Sequence, residues 1–144
     1  MSPRRIITLD IADREKALAR IPLLAELPER EREEIAARSH VIAFTDGDVI
    51  VPEGEEGLGF YVILAGAARV VRDGVQINTL AAGDFFGEIS LIEGDARTAT
   101  VLASGPTTCV GILRSLFKPL LVRNPRFALK ILDEEARRTE MLRG

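Results

Sequence analysis

Residues 83–101 form a segment whose residue types could hold a small anion. Gly87 lets the backbone turn sharply and leaves room for a ligand close to the main chain. Residues 88–92 are long enough for one helical turn. The free N–H groups of that turn, at Ile89 and Ser90, carry the partial positive charge of a helix start. These features predict an anion site built largely from backbone groups.

Three side chains of the same segment indicate which kind of anion it could bind. Arg97 offers a planar bidentate donor and Thr98 offers a hydroxyl, and both suit the same anion. Glu88 would repel that anion unless it accepts a hydrogen bond from a neutral donor, such as a sugar hydroxyl. One phosphate beside one hydroxyl is what a ribose cyclic phosphate presents. The alternative is an ordinary surface ion pair between Glu88 and Arg97, without a ligand.

Short strands are predicted on both sides of this segment. Apolar runs alternate with turn residues from position 40 onward, and the Asp-Gly pairs at 46–47 and 73–74 are strong hairpin signals. Strands this short and evenly spaced predict an antiparallel jelly roll, that is, a double-stranded β-helix barrel. The expected strands are residues 41–44, 49–51, 60–64, 67–71, 75–80, 98–103 and 107–113.

Helices are predicted before and after the barrel. An apolar stripe precedes a charged helix at residues 29–38, whose acids are expected to face solvent. Ser115 is expected to cap residues 116–122, with Pro119 in the first turn of that helix. Asn124-Pro125 suits the start of a last helix that ends at residue 143. The stripe before the charged helix consists of Leu18, Ile21, Leu24 and Ala25. A second stripe, on the last helix, is expected to pack on the barrel and consists of Leu129, Leu132, Ala136 and Thr139.

The expected fold class is therefore mainly β with flanking helices, in a single domain. Residues 1–40 form an N-terminal helical lead-in, residues 41–113 form the barrel with the binding segment at 86–101, and residues 114–144 form C-terminal helices. A chain of 144 residues is about the size of one domain.

Composition excludes several function classes. The formal charge of −3 argues against a nucleic-acid partner. The single cysteine, Cys109, cannot form a disulfide within the chain and is expected to fill the core. The single histidine, His40, excludes the metal site of a cupin-type enzyme. No apolar stretch approaches the roughly 20 residues of a membrane span, and the start lacks a signal peptide. We expect a cytoplasmic protein without a metal, a cofactor or catalytic residues.

The binding segment resembles the phosphate-binding cassette of cyclic-nucleotide-binding domains. That family includes the catabolite activator protein, protein kinase regulatory subunits and cyclic-nucleotide-gated channels. The resemblance covers roughly residues 23–143 and extends to residues 52–55, 60–66, 124–125 and 136–138. Its most specific motifs are Phe86-Gly87-Glu88-Ile89-Ser90-Leu91 and Ala96-Arg97-Thr98-Ala99-Thr100-Val101. Hereafter residues 86–101 are called the cassette.

The resemblance implies a role for each cassette residue toward cAMP or cGMP. Glu88 accepts the ribose 2′-hydroxyl, Arg97 binds an exocyclic phosphate oxygen, and Thr98 donates to the phosphate. The backbone of Gly87, Ile89 and Ser90 completes the cradle. Ala96 stands where relatives often have proline, which loosens the loop without removing a contact.

The resemblance also implies a regulatory function and a mobile last helix. The corresponding helix closes over the nucleotide in relatives, and the candidates for pocket or base contacts are Arg138, Leu142 and Arg143. The domain would then sense the nucleotide and relay its occupancy to an effector domain or a regulated protein. A ligand-free barrel scaffold or protein-docking module is the alternative. The sequence leaves the oligomeric state and the choice between cAMP and cGMP open.

Overall fold

A computed structural model describes residues 5–7, 10–51, 59–87 and 99–143 of the chain, with the side chains of the last helix described as far as residue 134. Within these ranges there are five helices: α1 (Ile11–Ala19), α2 (Pro22–Ala25), α3 (Glu29–Arg38), α4 (Arg114–Arg123) and α5 (Pro125–Arg143). The same ranges contain seven strands: β1 (Arg5–Ile7), β2 (His40–Phe44), β3 (Val49–Val51), β4 (Gly59–Arg72), β5 (Val75–Ala81), β6 (Phe85–Phe86) and β7 (Thr100–Leu113).

The strands form one antiparallel sheet, and the predicted class, mainly β with flanking helices, is confirmed. The main path runs β1-β2-β7-β4-β5, while β3 also pairs with β7 and β6 with β4. The described strands do not close into a barrel, and their arrangement is that of a jelly-roll-like sandwich. β1 was not expected, because the sequence pattern indicated only helices before residue 40. Its three residues pair with β2.

Two long strands, β4 and β7, span both halves of the sandwich. Each is 14 residues long, where the sequence pattern predicted two short strands. Their pairing shifts register on both sides of Ala65. Gly66 lies at this bend with φ of 94°. A Cβ there would meet the carbonyl oxygen of Pro106 and would lie 2.8 Å from the Cα of Thr107, so the two strands approach closely only because residue 66 is glycine.

The two Asp-Gly pairs have different roles. Asp73 and Gly74 both have positive φ and join β4 to β5 as a hairpin, as predicted. The hairpin predicted at 46–47 is wrong, because β2 and β3 do not pair with each other and both pair with β7. Here the carboxylate of Asp46 accepts a hydrogen bond of 2.7 Å from the backbone N–H of Gly105. The side chain thus fastens the turn to β7.

Two apolar clusters make up the core. One joins the helices to the outer face of the sheet and includes the predicted stripe Leu18, Ile21 and Leu24, although Ala25 is exposed. The other lies between the halves of the sandwich and contains Cys109, as expected of a core residue. Burial raises the pKa of the Cys109 thiol to about 12, so the thiol stays protonated and unreactive near neutral pH.

The start of α4 differs from the prediction. The helix begins at Arg114, directly after β7, with Leu113 at the N-cap, so Ser115 is not the cap. Pro119 lies inside the helix rather than in its first turn, where it removes one backbone hydrogen bond. Burial of Leu116, Phe117 and Leu120 against the core holds this helix in place despite that loss.

Ion pairs join the N-terminal helices to the corner between α4 and α5. The guanidinium of Arg123 donates two hydrogen bonds of 2.9 Å to the carboxylate of Glu31, one from Nε and one from Nη2. Its Nη2 also lies 3.6 Å from Glu34, and Lys130 of α5 pairs with Glu26. These five residues are called the corner network.

Glu31 overturns the expectation that the acids of α3 face solvent. Its side chain is only 8% exposed. A buried carboxylate needs a partner, and Arg123 supplies one from a distant part of the chain. The hydrogen bonds from Arg123 lower the pKa of Glu31 below its ordinary value of 4.5, against the opposing effect of burial.

The described residues contain no helix that is both long enough and apolar enough to cross a bilayer.

The bend of β4 should tolerate no side chain at position 66. A left-handed φ costs a non-glycine residue roughly 1–2 kcal/mol, and a forced clash in a packed region adds about 1–3 kcal/mol. We therefore expect Gly66→Ala to lower the free energy of unfolding by about 2–5 kcal/mol, measured by chemical denaturation. Gly74→Ala is the matched control, since Gly74 has φ of 79° with no atom near the added Cβ. Equal losses in the two variants would contradict the close-approach argument.

Stability should also depend on pH through Glu31. Because the pKa of Glu31 is lower in the folded chain, its contribution is complete above its ordinary pKa of 4.5 and is lost as the pH falls through the folded value. Denaturation from neutral to acidic pH should show a larger loss for the parent than for Glu31→Gln. Identical pH dependence of the two proteins would mean that this carboxylate does not contribute to acid sensitivity.

Candidate functional site

The cassette begins at strand β6, which is held tightly against β4. Phe86 pairs with Tyr61 and Phe85 pairs with Val62. The rings of Tyr61 and Phe86 are stacked with centroids 5.3 Å apart. Gly87 follows directly with φ of 94°, a conformation that favours glycine. The chain therefore leaves β6 through a turn that a residue with a side chain would adopt only with strain.

The turn before β6 adds further bonds to β4. The backbone N–H of Ile63 donates to the carbonyl of Asp84 at 2.9 Å, and the N–H of Gly83 donates to the carbonyl of Ile63 at 2.8 Å. The carboxylate of Asp84 accepts from the N–H of Ala81 at 2.8 Å. Because both sides of the turn are bonded to neighbouring strands, the turn fixes where β6 begins.

The end of the cassette lies at the start of β7. Thr100 pairs with Val71 of β4, and Val101 pairs with Val70 of β4 on one side and with Val51 of β3 on the other. The cassette therefore begins and ends on strands that pair with the same long strand, β4. This gives its ends a defined spacing before any ligand is considered.

Apolar packing supports both ends from below. Phe86, Val51 and Val101 belong to the cluster between the two halves of the sandwich, and all three are buried. A packed core resists small displacements, since it has few voids into which side chains can move. The ends of the cassette consequently rest on a rigid base.

Most of the predicted binding residues lie outside the described residues. Among the cassette candidates the structure describes Gly87, and it does not describe Glu88, Ile89, Ser90, Arg97 and Thr98. Positions 138, 142 and 143, where Arg138, Leu142 and Arg143 were singled out, fall within helix α5. The roles of all these side chains stay predictions.

An aromatic chain that the sequence analysis did not identify connects the cassette to α5. The ring of Phe85, next to the first cassette residue, lies 5.5 Å from that of Phe60 on β4. Phe60 stacks on Phe117 of α4 at 4.5 Å, and Phe117 meets Phe127 of α5 edge-on at 6.4 Å. Each of the four rings is at most 5% exposed. The phenylalanines are scattered in sequence, so only the pairing of β4 with β6 and the packing of α4 and α5 bring them together.

The apolar stripe expected to pack on the barrel does not do so over its described part. Leu129 and Leu132 of α5 are 59% and 50% exposed. Among the described side chains of this helix, the buried ones are instead Phe127 and Ile131, which join the cluster formed by the helices and the sheet. The helix has apolar residues on two faces, and the sequence pattern did not show which face is buried.

Comparison with protein families gives one match that spans the cassette. The model of the cyclic nucleotide-binding domain matches residues 41–124, which is more than half of the chain. The matched region ends one residue before α5 begins.

Two of the similar proteins are linked to cAMP by their names. A cAMP-dependent protein kinase regulatory subunit of Blastocladiella emersonii is 35% identical over an alignment of 112 residues, and the match covers 74% of this chain and 28% of that protein. The structure of cAMP-bound PfPKA-R (141–441) is 28% identical, with a TM-score of 0.83 over 92% of this chain and 48% of that one. The chain thus spans half or less of the length of these relatives.

A second similar structure limits what the fold alone implies. It is the regulatory subunit of a cAMP-independent protein kinase A from Trypanosoma brucei, 25% identical, with a TM-score of 0.77 over 88% of this chain and 47% of that one. The same fold is therefore found in a cAMP-bound protein and in the subunit of a cAMP-independent kinase. Ligand binding has to be argued from the residues of the cassette.

Proposed function

Because the chain belongs to the cyclic nucleotide-binding domain family, we propose that it binds a 3′,5′-cyclic nucleotide, cAMP or cGMP. One observation carries the proposal. The matched region contains both Glu88 and Arg97, at the spacing of the cassette motif that the chain resembles, and Glu88 follows a glycine with positive φ. The chain would catalyse nothing itself and would act as a regulatory domain in signalling.

The relay of nucleotide occupancy through α5 is the second part of this proposal. The aromatic chain supports it, because a shift of β6 next to the cassette would press on Phe60 and Phe117 before it reaches Phe127 of α5. Packed rings transmit such shifts since they cannot interpenetrate. The regulated partner would be a further domain of a longer protein or a kinase catalytic subunit, in keeping with the regulatory subunits among the relatives. A cytoplasmic location stays a prediction.

A scaffold or docking function without a ligand is the second candidate. The similar subunit of a cAMP-independent kinase favours it, since that protein has the same fold. The two candidates differ in a single measurable property, which is the affinity of the purified chain for cyclic nucleotides.

Titration calorimetry should detect binding of cAMP or cGMP and much weaker binding of linear AMP. The cassette offers one arginine and one helix start, which match a single negative charge, whereas AMP carries close to two charges and lacks the cyclic shape. Equal affinity for AMP and the better cyclic nucleotide would overturn the assignment. No binding of either cyclic nucleotide would favour the scaffold.

Substitutions in the cassette should separate its two polar contacts. A charge-assisted hydrogen bond is worth roughly 1.5–3 kcal/mol, so Arg97→Ala should weaken binding about ten- to a hundredfold. Glu88→Gln should weaken it less, because an amide oxygen still accepts from the ribose. Arg20→Ala, which changes an exposed arginine after α1, is the matched control and should bind as the parent does. If Arg97→Ala and Glu88→Gln both bind as the parent does, the ligand lies elsewhere.

Hydrogen exchange should show whether α5 responds to the ligand. Docking of the helix over the nucleotide would bury backbone that otherwise opens locally, and coupling of this kind is typically worth about 1–3 kcal/mol. Exchange at residues 128–143 should therefore slow when saturating cAMP is added. Unchanged exchange, with binding confirmed by titration, would mean that α5 does not close over the site.

A further inference from the structure

The corner network links parts of the chain that are far apart in sequence. Glu26 follows α2, Glu31 and Glu34 lie on α3, Arg123 ends α4, and Lys130 lies on the second turn of α5. The first half of the network is the pair between Arg123 and Glu31, which is bidentate and partly buried. The second half is the exposed pair between Lys130 and Glu26. Together they connect the N-terminal helices to α5 on both sides of the α4–α5 corner.

The bond between Glu31 and Arg123 is stronger than an ordinary surface pair. Two parallel hydrogen bonds of 2.9 Å fix the guanidinium plane as well as its position. The Glu31 side chain is 8% exposed, so loss of Arg123 would leave a desolvated carboxylate without its main partner. This half of the network therefore constrains geometry and has a cost when it is broken.

The corner itself is stiff. The side-chain amide of Asn124 donates to the carbonyl of Leu120 at 2.9 Å, and the backbone N–H of Asn124 donates to the same carbonyl at 3.0 Å. α5 then starts at once with Pro125, whose φ is restricted by its ring. A constraint on Arg123 is thus passed to the first turn of α5 with little slack.

We infer that the corner network positions α5 for nucleotide binding, with Glu31 and Arg123 as its main positioning residues. The inference rests on the proposed function and concerns how the affinity for the nucleotide is regulated. A helix that is already oriented loses less conformational freedom when it docks, so binding is tighter than when the helix samples many directions. The N-terminal helices would therefore tune affinity at a cassette that they do not form.

Glu31→Gln should weaken cAMP binding although residue 31 lies outside the cassette. Substitutions along coupled networks change coupling by about 0.5–2 kcal/mol, which corresponds to about two- to thirtyfold in affinity. Glu33→Gln is the matched control, since it makes the same change at an exposed carboxylate of the same helix that is not part of the corner network. Equal affinity of Glu31→Gln, Glu33→Gln and the parent would overturn the inference.

A charge swap tests the exposed half of the network without disturbing buried groups. Lys130→Glu places two carboxylates together and should lower affinity for cAMP, and the double variant Glu26→Lys/Lys130→Glu should restore it. An effect of the charge at position 130 that does not involve its pair with residue 26 would not produce this rescue. If the double variant binds as weakly as Lys130→Glu, the pair does not position α5.

Spin-label distances provide a readout that does not depend on binding. Labels at Arg30→Cys on α3 and Asp133→Cys on α5 should give one narrow distance distribution, and Glu31→Gln should broaden it. The native Cys109 is fully buried and should not take the label. Failure of the parent to bind either cyclic nucleotide would refute the proposed function. A parent that binds, with a Glu31→Gln variant unchanged in affinity and in distance distribution, would refute only the positioning role.

Discussion

Strands β4 and β7 pair from Gly59 opposite Leu113 to Val71 opposite Thr100, and the other elements are arranged around this pair. Because each strand crosses from one half of the sandwich to the other, a single pairing determines the position of both halves. β6 is added to the first part of β4, and the start of β7 is paired with its last part. Both ends of the cassette are thus positioned by this one two-stranded ribbon. The bend at Gly66 lies between the two points of attachment.

The same ribbon determines which side chains can connect the cassette with α5. Phe60 lies near the start of β4 and is therefore close to both β6 and α4. Its ring contacts Phe85 on one side and Phe117 on the other, and Phe117 contacts Phe127. Without the register of β4 these rings would be separate core residues. With it, they form a continuous line of aromatic contacts from the candidate site to the last helix.

Local patterns in the sequence predicted most of this fold and less of its long-range contacts. Turn residues and apolar runs located β2, β3 and β5, and the charged run located α3, because these features depend on neighbours in sequence. They did not reveal that pairs of short runs join into β4 and β7, since residue 66 and residues 104–106 resemble ordinary turns when read alone.

The two errors about burial, at Glu31 of α3 and along α5, have a common cause. Glu31 resembles its exposed neighbours in sequence, and only Arg123, far away along the chain, makes its burial favourable. α5 has apolar residues on two faces, and the core selected Phe127 and Ile131 over Leu129 and Leu132. The cassette motif could be identified from the sequence because its residues are close together along the chain. The contacts that link the cassette to α5 could not be identified in this way, because they form only after the sheet has folded.

The aromatic chain and the corner network both contact α5, but they act by different physical means. Together they constrain both the position and the direction of this helix. The aromatic chain is fully packed, so it constrains where Phe127 lies but is insensitive to charge. The corner network is partly exposed and constrains the direction in which α5 leaves the corner, through Arg123 and Lys130. A helix held at one point can still swing, whereas one that is also held through charged groups on either side of its start has a preferred direction. A ligand can change that direction only by the difference in its contacts with the two arrangements. The exposed pair between Lys130 and Glu26 suits this purpose, because such pairs are of modest strength and bias the helix without fixing it against such a difference.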